Sequence, residues 1–272
     1  YAALTEAFEI YKPKAAILVH LYGWSTKNLK EIRVQAKAKK VLLLEDGAQC
    51  FGTLFEGLSI YKKALISTTS FYPTKVLGAA GDGGAVFTND ERLAFKVRQL
   101  ANHGRSDHYV HDAVGWNSRM DTLQAAYLNL TLEFLPRRIN SRLNSLKVYE
   151  EGIKDIDIYQ LRAPALFREN GYCQVCVITN LKLKQNLEIR LKSSEVGFSN
   201  IYPKTISSQN GAERFMHGHV GSNKAEEFCN SVLNLPLFPY MTFSELSLVI
   251  EVISKGANEF RNKSNYMRGN QL

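Results

Sequence analysis

Asp46, Ser70 and Lys75 supply a carboxylate, a hydroxyl and an amine, each at or just beyond the end of an apolar run. VLLLED closes on Asp46, ALISTTSF holds Ser70, and Lys75 follows five residues after that serine in SFYPTKVLG. In a parallel α/β sheet, functional groups collect at the carboxyl ends of the strands. The three would then meet along one sheet edge. A lysine amine can form a Schiff base with a carbonyl. Pyridoxal phosphate (PLP) binds in this way, and it needs a carboxylate on its pyridine nitrogen so that the ring can act as an electron sink. Its phosphate needs hydroxyl and N–H donors. On residue types alone the same set also reads as a loop-capping aspartate, a turn serine and a surface lysine.

Positioning these groups requires an alternation of buried strands and amphipathic helices. Leu4, Phe8 and Tyr11 mark an opening helix that ends at YKPK. AAILVHL reads as a buried strand, and a helix beginning at Ser25 places Leu29, Ile32 and Ala36 on one face. VLLLED, ALISTTSF and GAVFT are three further strands. Asn89 or Asp90 caps a helix whose stripe is Leu93, Val97 and Leu100. This pattern predicts a mostly parallel α/β sheet. Beyond residue 115 the character changes. Met120, Leu123, Tyr127 and Leu130 mark a helix, Pro136 interrupts it, and a second helix runs to about Ile153. A strand in YCQVCVIT follows, with helices near 183–195 and 223–232. LNLPLFPYM then leads to a last helix, opened by a capping box, Thr242 to Glu245, with a stripe of Leu246, Val249, Ile250 and Ile253. The division expected is residues 1–134 as a large domain and residues 135–272 as a linking helix and a smaller α+β domain.

The 272 residues, 45% of them hydrophobic, have ordinary globular composition without low-complexity tracts or repeats. The net charge of +8 comes from scattered Lys and Arg, a pattern that suits an anionic small substrate and argues against nucleic acid. No apolar run approaches the ~20 residues of a membrane span, and no secretory leader is visible. Cys173 and Cys176 form a CxxC with no second pair, which reads as reduced thiols of a cytoplasmic protein rather than a zinc site. His217 and His219 lack partner ligands, so no metal is expected. GAAGDGG lacks the lysine-threonine ending of a P-loop and reads as a tight return into the next strand. His20 ends a strand, where site and core readings both stand. Trp116 and Tyr127 read as packing or dimer contacts.

VHLYG (19–23), EDGAQCFG (45–52), TSFYPTKVLGAAGDGGAVFTND (69–90), ANHGRSD (101–107) and GWNSRMDTLQAAYL (115–128) occur in order and at compatible spacing. Together they closely resemble the DegT-type (DegT/DnrJ/EryC/StrS) sugar aminotransferases, PLP enzymes of fold type I, the aspartate aminotransferase-like fold. The resemblance covers most of residues 10–155. It weakens beyond them, where IYP (201–203) and LNLPLFPYM still look like landmarks. It implies that Lys75 is the Schiff-base lysine and proton shuttle. Asp46 would pair with the pyridine nitrogen, Gln49 would lie near the ring and its 3-hydroxyl, and Ser70 would bind phosphate. Asn117 would reach the phosphate of the neighbouring subunit's cofactor in a homodimer with a shared active site. The implied reaction moves an amino group from glutamate to a nucleotide-linked keto sugar, for amino sugars of polysaccharides such as lipopolysaccharide.

Three departures stand beside the resemblance. Val76 replaces the asparagine that usually follows the lysine, and Ile201 replaces the histidine often found before YP. The family's N-terminal Gly-Ser/Thr phosphate turn and ring-stacking aromatic have no counterpart, so the chain is expected to start after that segment, with PLP binding weakened or lost if it is absent. A truncated non-catalytic member of the fold is one alternative. The other is a PLP-dependent sugar dehydratase relative, against which Lys75 argues, because such relatives carry histidine there.

Overall fold

The computed structural model describes residues 1–221 and 223–269. In chain order its elements are α1 (Ala2–Tyr11), β1 (Ala15–Val19), α2 (Leu29–Ala38), β2 (Leu42–Asp46), β3 (Leu54–Phe55), β4 (Leu58–Ser59), β5 (Ile66–Ser70), β6 (Gly84–Phe87), α3 (Glu91–Ala101), α4 (Thr122–Leu132) and α5 (Leu135–Gly152). They continue with β7 (Tyr159–Leu161), β8 (Phe167–Arg168), β9 (Gln174–Val177), α6 (Leu181–Ser193), α7 (Asn223–Ser231), β10 (Val232–Leu235) and α8 (Phe243–Gly269). The chain forms two compact units. The first comprises Tyr1, Phe8–Ile139 and Ala163–Tyr172, and the second Ala2–Ala7, Asn140–Arg162 and Cys173–Leu272.

The first unit is built on a four-stranded sheet of order β1-β2-β5-β6. β1, β2 and β5 run parallel, with Val19 opposite Asp46 and Asp46 opposite Thr68, and β6 returns antiparallel to β5. The sheet is therefore mostly parallel, as the alternation of elements predicts. Its parallel strands end together at Val19, Asp46 and Ser70, the edge to which the sequence assigns the chemistry. α2 packs against β2 and buries Leu29, Ile32 and Ala36, the three residues of the predicted stripe. Its start differs from the expectation. The helix begins at Leu29, because the Ser25 hydroxyl is held 2.7 Å from His20 Nδ1 instead of capping a helix. Asp90 rather than Asn89 caps α3, its Oδ1 accepting from the N–H groups of Arg92 and Leu93 at 2.9 and 3.1 Å. A three-stranded patch of order β4-β3-β8 brings Phe167 against Phe55.

Pro136 separates α4 from α5 as expected, taking the second position of α5, where a missing N–H costs nothing. The stripe that reveals α4 in the sequence faces outward: Leu123 is 82% and Leu130 67% exposed, and Leu128 is the buried residue.

The second unit has an antiparallel sheet of order β10-β9-β7, with α6 and α8 packed together. Its core gathers Tyr149, Ile153, Ile178, Leu187, Leu191, Leu233 and Ile253. The capping box of α8 forms as read: Thr242 N–H donates to Glu245 Oε2 at 2.7 Å and Glu245 N–H to Thr242 Oγ1 at 3.3 Å. β10 is a strand that periodicity does not reveal. All four of its residues are buried, so alternation is absent, and Asn234 sits in it because its Oδ1 accepts from the Ile201 N–H at 2.8 Å. Among the described residues no helix is long and apolar enough to cross a membrane.

Candidate functional site

Lys75 is carried by a locked turn. Phe71 N–H donates to Gly83 O, Lys75 N–H to Tyr72 O and Ala79 N–H to Phe71 O, at 2.8, 2.9 and 2.7 Å. Val76 and Leu77 are buried behind it. Gly78 lies so close beneath Pro73 that an added Cβ would stand 2.8 Å from the Pro73 carbonyl carbon. The backbone at Lys75 is thus fixed on both sides, while its side chain emerges half-buried into a cleft of about 1640 Å³. Ser70, Thr69, Tyr61 and Asp82 line the same cleft. Burial lowers the Lys75 pKa, and the charge of Asp46 opposes that shift without cancelling it.

Asp46 ends β2, and its Oδ1 accepts from the Ala48 N–H at 3.0 Å, which curls the chain away from the strand. Gln49 follows in the same turn, buried, its Oε1 accepting from the Tyr22 N–H at 2.6 Å. Ser70 closes β5, with Oγ accepting from the Tyr72 N–H at 3.2 Å. The structure therefore brings Ser70 and Lys75 to one cleft and sets Asp46 where its charge acts on the amine. Asn117 stands outside this group. It is exposed, and its Oδ1 accepts from Arg119 Nε at 3.1 Å; its neighbours Ser118, Arg119 and Met120 line the cleft.

His20 belongs to the core. It is 1% exposed, and its Nε2 lies 2.9 Å from Glu45 Oε2. An ionised carboxylate only accepts, so Nε2 carries the proton of that bond. Arg33 completes the cluster, donating from Nε to Glu45 Oε1 at 2.7 Å and from Nη2 to Oε2 at 2.8 Å. Burial alone would raise the Glu45 pKa, but the bonds from His20 and Arg33 hold it below the ordinary carboxylate value. This cluster ties the end of β1 to β2 directly beside Asp46, whose carbonyl accepts from the His20 N–H at 2.8 Å.

Sequence reasoning missed two further residues. Asn170, fully buried, donates from Nδ2 to the carbonyls of Gln49 and Phe51 at 2.9 and 3.0 Å, and so clamps the turn after Asp46. Tyr172 places its hydroxyl 3.4 Å from Lys75 Nζ. Asn-Gly at 170–171 was the available signal: Gly171 has φ of 67°, a turn conformation that ends the segment before β9.

The model of the DegT/DnrJ/EryC1/StrS aminotransferase family matches residues 2–254. The UDP-2-acetamido-2-deoxy-3-oxo-D-glucuronate aminotransferase of Pseudomonas aeruginosa is 32% identical over 252 residues, which is 92% of this chain and 68% of that protein. A crystal structure of a DegT DnrJ EryC1 StrS aminotransferase from Brucella abortus superposes with a TM-score of 0.84 at 29% identity, covering 94% of this chain and 68% of that one. S. venezuelae DesV, solved in complex with a ketimine intermediate, gives 0.83 at 28% identity, over 90% and 65%. The chain thus spans about two thirds of the length of these relatives. It has their fold, the fold type I architecture expected from the motifs. The chain belongs to the DegT/DnrJ/EryC1/StrS aminotransferase family.

Proposed function

We propose that this chain is a PLP-dependent aminotransferase that passes an amino group from glutamate to the keto group of a nucleotide-linked sugar. The observation that carries this reading is the half-buried amine of Lys75, which shares a cleft with the Ser70 hydroxyl under the charge of Asp46. These residues fit the cofactor by their chemistry: an amine kept from full solvation, a hydroxyl in the same cleft, and an acid at the neighbouring strand end. When bound, the pyridinium ring would withdraw electrons from the α-carbon of the amino substrate.

Lys75 Nζ would hold the cofactor, and its amine is the group that would carry the proton taken from the donor's α-carbon. Its burial favours the neutral amine, the form able to accept that proton. Asp46 would keep the ring nitrogen protonated, Gln49 would border the ring, and Ser70 would donate to the phosphate. Gln49 is pinned by Tyr22, and Asp46 by the turn it caps, so both are set before cofactor arrives. We assign cofactor binding to residues 1–134 and read 135–272 as linking helix and small domain, with Ala163–Tyr172 folded into the first unit. A homodimer would bring Asn117 of a second copy to the phosphate, a reading supported by the exposed Trp116, Leu123 and Leu130. The burial of Cys50 and Cys176 as thiols supports a reducing, cytoplasmic setting. The P. aeruginosa relative supports a UDP-linked 3-oxo sugar as the first substrate to try.

The test is amination of UDP- and dTDP-linked keto sugars by the PLP-loaded protein with glutamate as donor. Amino sugar formed by the wild type and not by Lys75→Ala is the result expected. Equal turnover by both proteins, or none by either, overturns the reading.

A further inference from the structure

We propose that Tyr172 is a positioning residue for the Lys75 amine, its phenol hydroxyl seating Nζ whenever the amine is not covalently engaged. The inference rests on the reading of Lys75 as the reactive amine. Nζ lies 3.4 Å from the Tyr172 hydroxyl and 5.3 Å from the ring centre. The amine therefore sits beyond the oxygen end of the ring rather than over its face. The contact is a hydrogen bond, not a cation–π interaction.

The phenol is held by the same structure that holds the turn after Asp46. Two residues before it, Asn170 is bonded to Gln49 and Phe51 in the turn that follows Asp46. Gly23, at φ of 95°, makes room for the segment: an added Cβ there would stand 3.2 Å from Tyr172 Cβ and would collide with the Asn170 amide oxygen. Glycine in VHLYG and asparagine in the NGY segment thus place one hydroxyl against one amine across 97 residues of sequence.

A hydroxyl is the partner this amine needs. A lysine that carries a proton alternates between ammonium and amine. A carboxylate would bind the ammonium and trap it, whereas a phenol accepts from the ammonium and donates to the neutral amine. Tyr172 can hold Nζ in both states.

The test uses the cofactor-free chain. Trace acetylation with acetic anhydride, read by mass spectrometry of the Lys75 peptide against pH, reports the free amine, with exposed Lys63 as internal standard. Tyr172→Phe removes the hydroxyl and keeps the ring. The bond favours the charged form more than the neutral one, so its loss should lower the labelling midpoint. Lys75 labelling at neutral pH should then rise roughly two- to tenfold relative to Lys63. A thermal melt confirms the fold, and Tyr172→Leu gives the same reading if the Phe variant melts below the assay temperature. Lys75 profiles that superpose in wild type and variant overturn the assignment. Failure of the aminotransferase reading would show separately, as no turnover with an unchanged labelling result.

Discussion

Replacing Glu45 by glutamine takes one negative charge out of the interior and leaves its two basic partners in place. Glu45 is 0% exposed and receives hydrogen bonds from Arg33 Nε, Arg33 Nη2 and the His20 ring at 2.7, 2.8 and 2.9 Å. Removing one partner of a buried ion pair costs about 3–5 kcal/mol, because the other charge is left without compensation. Two features set this case at the lower end. Arg33 Nη2 also donates to Ile60 O at 2.7 Å, and the Arg33 side chain keeps 13% of its surface in water. A loss of about 3 kcal/mol follows, or a fall of about 6–12 °C in melting temperature for a protein of this size. The assay is thermal and urea unfolding followed by the fluorescence of buried Trp24, four residues beyond His20. The pH dependence is part of the prediction. Folding lowers the Glu45 pKa, so its contribution is full above the unfolded-state value and disappears as pH falls through the lower, folded-state value. The gap between wild type and Glu45→Gln should be widest near neutrality and should close in acid. A variant that melts within about 1 °C of wild type at neutral pH would refute the argument that this cluster ties α2 and the end of β1 to β2.

Two further outcomes follow from the same geometry. Gly78→Ala forces a Cβ against the Pro73 backbone, so the turn must shift; a stability loss of about 1–3 kcal/mol in urea titration should accompany weakened PLP binding, measured by equilibrium dialysis. Leu123→Asp with Leu130→Asp places two charges on the outward stripe of α4 and tests the proposed homodimer: the wild type should sediment as a dimer and the variant as a folded monomer.

The residues of the cleft were legible because they lie in short, contiguous motifs at strand ends, where local pattern and chemistry coincide. Asp46 and Ser70 end β2 and β5, whose parallel register brings those ends to one edge, and Lys75 follows five residues after Ser70; the roles proposed for them come from the family resemblance. Tyr172 and Asn170 were not legible, since they meet Lys75 and the turn after Asp46 from a segment more than ninety residues further on that carries no period of its own. β10 escaped because a fully buried strand shows no alternation, and its Asn234 is a residue type that strands seldom hold unless, as here, its side chain has a partner, the Ile201 N–H. Ser25 misled for the opposite reason. It has the type of a helix cap, yet its hydroxyl is taken by His20, so α2 starts four residues later. The stripe of α4 gave the helix correctly but not the face it buries, because spacing reports periodicity and not what lies against it.

The central claim is that Lys75 is the amine that holds the cofactor. Incubation with PLP, reduction with borohydride and peptide mapping by mass spectrometry test it in one measurement. The account predicts that the cofactor-derived mass is found on the Lys75 peptide and is lost in Lys75→Ala. Attachment at another lysine, or no attachment in the wild type, would contradict it.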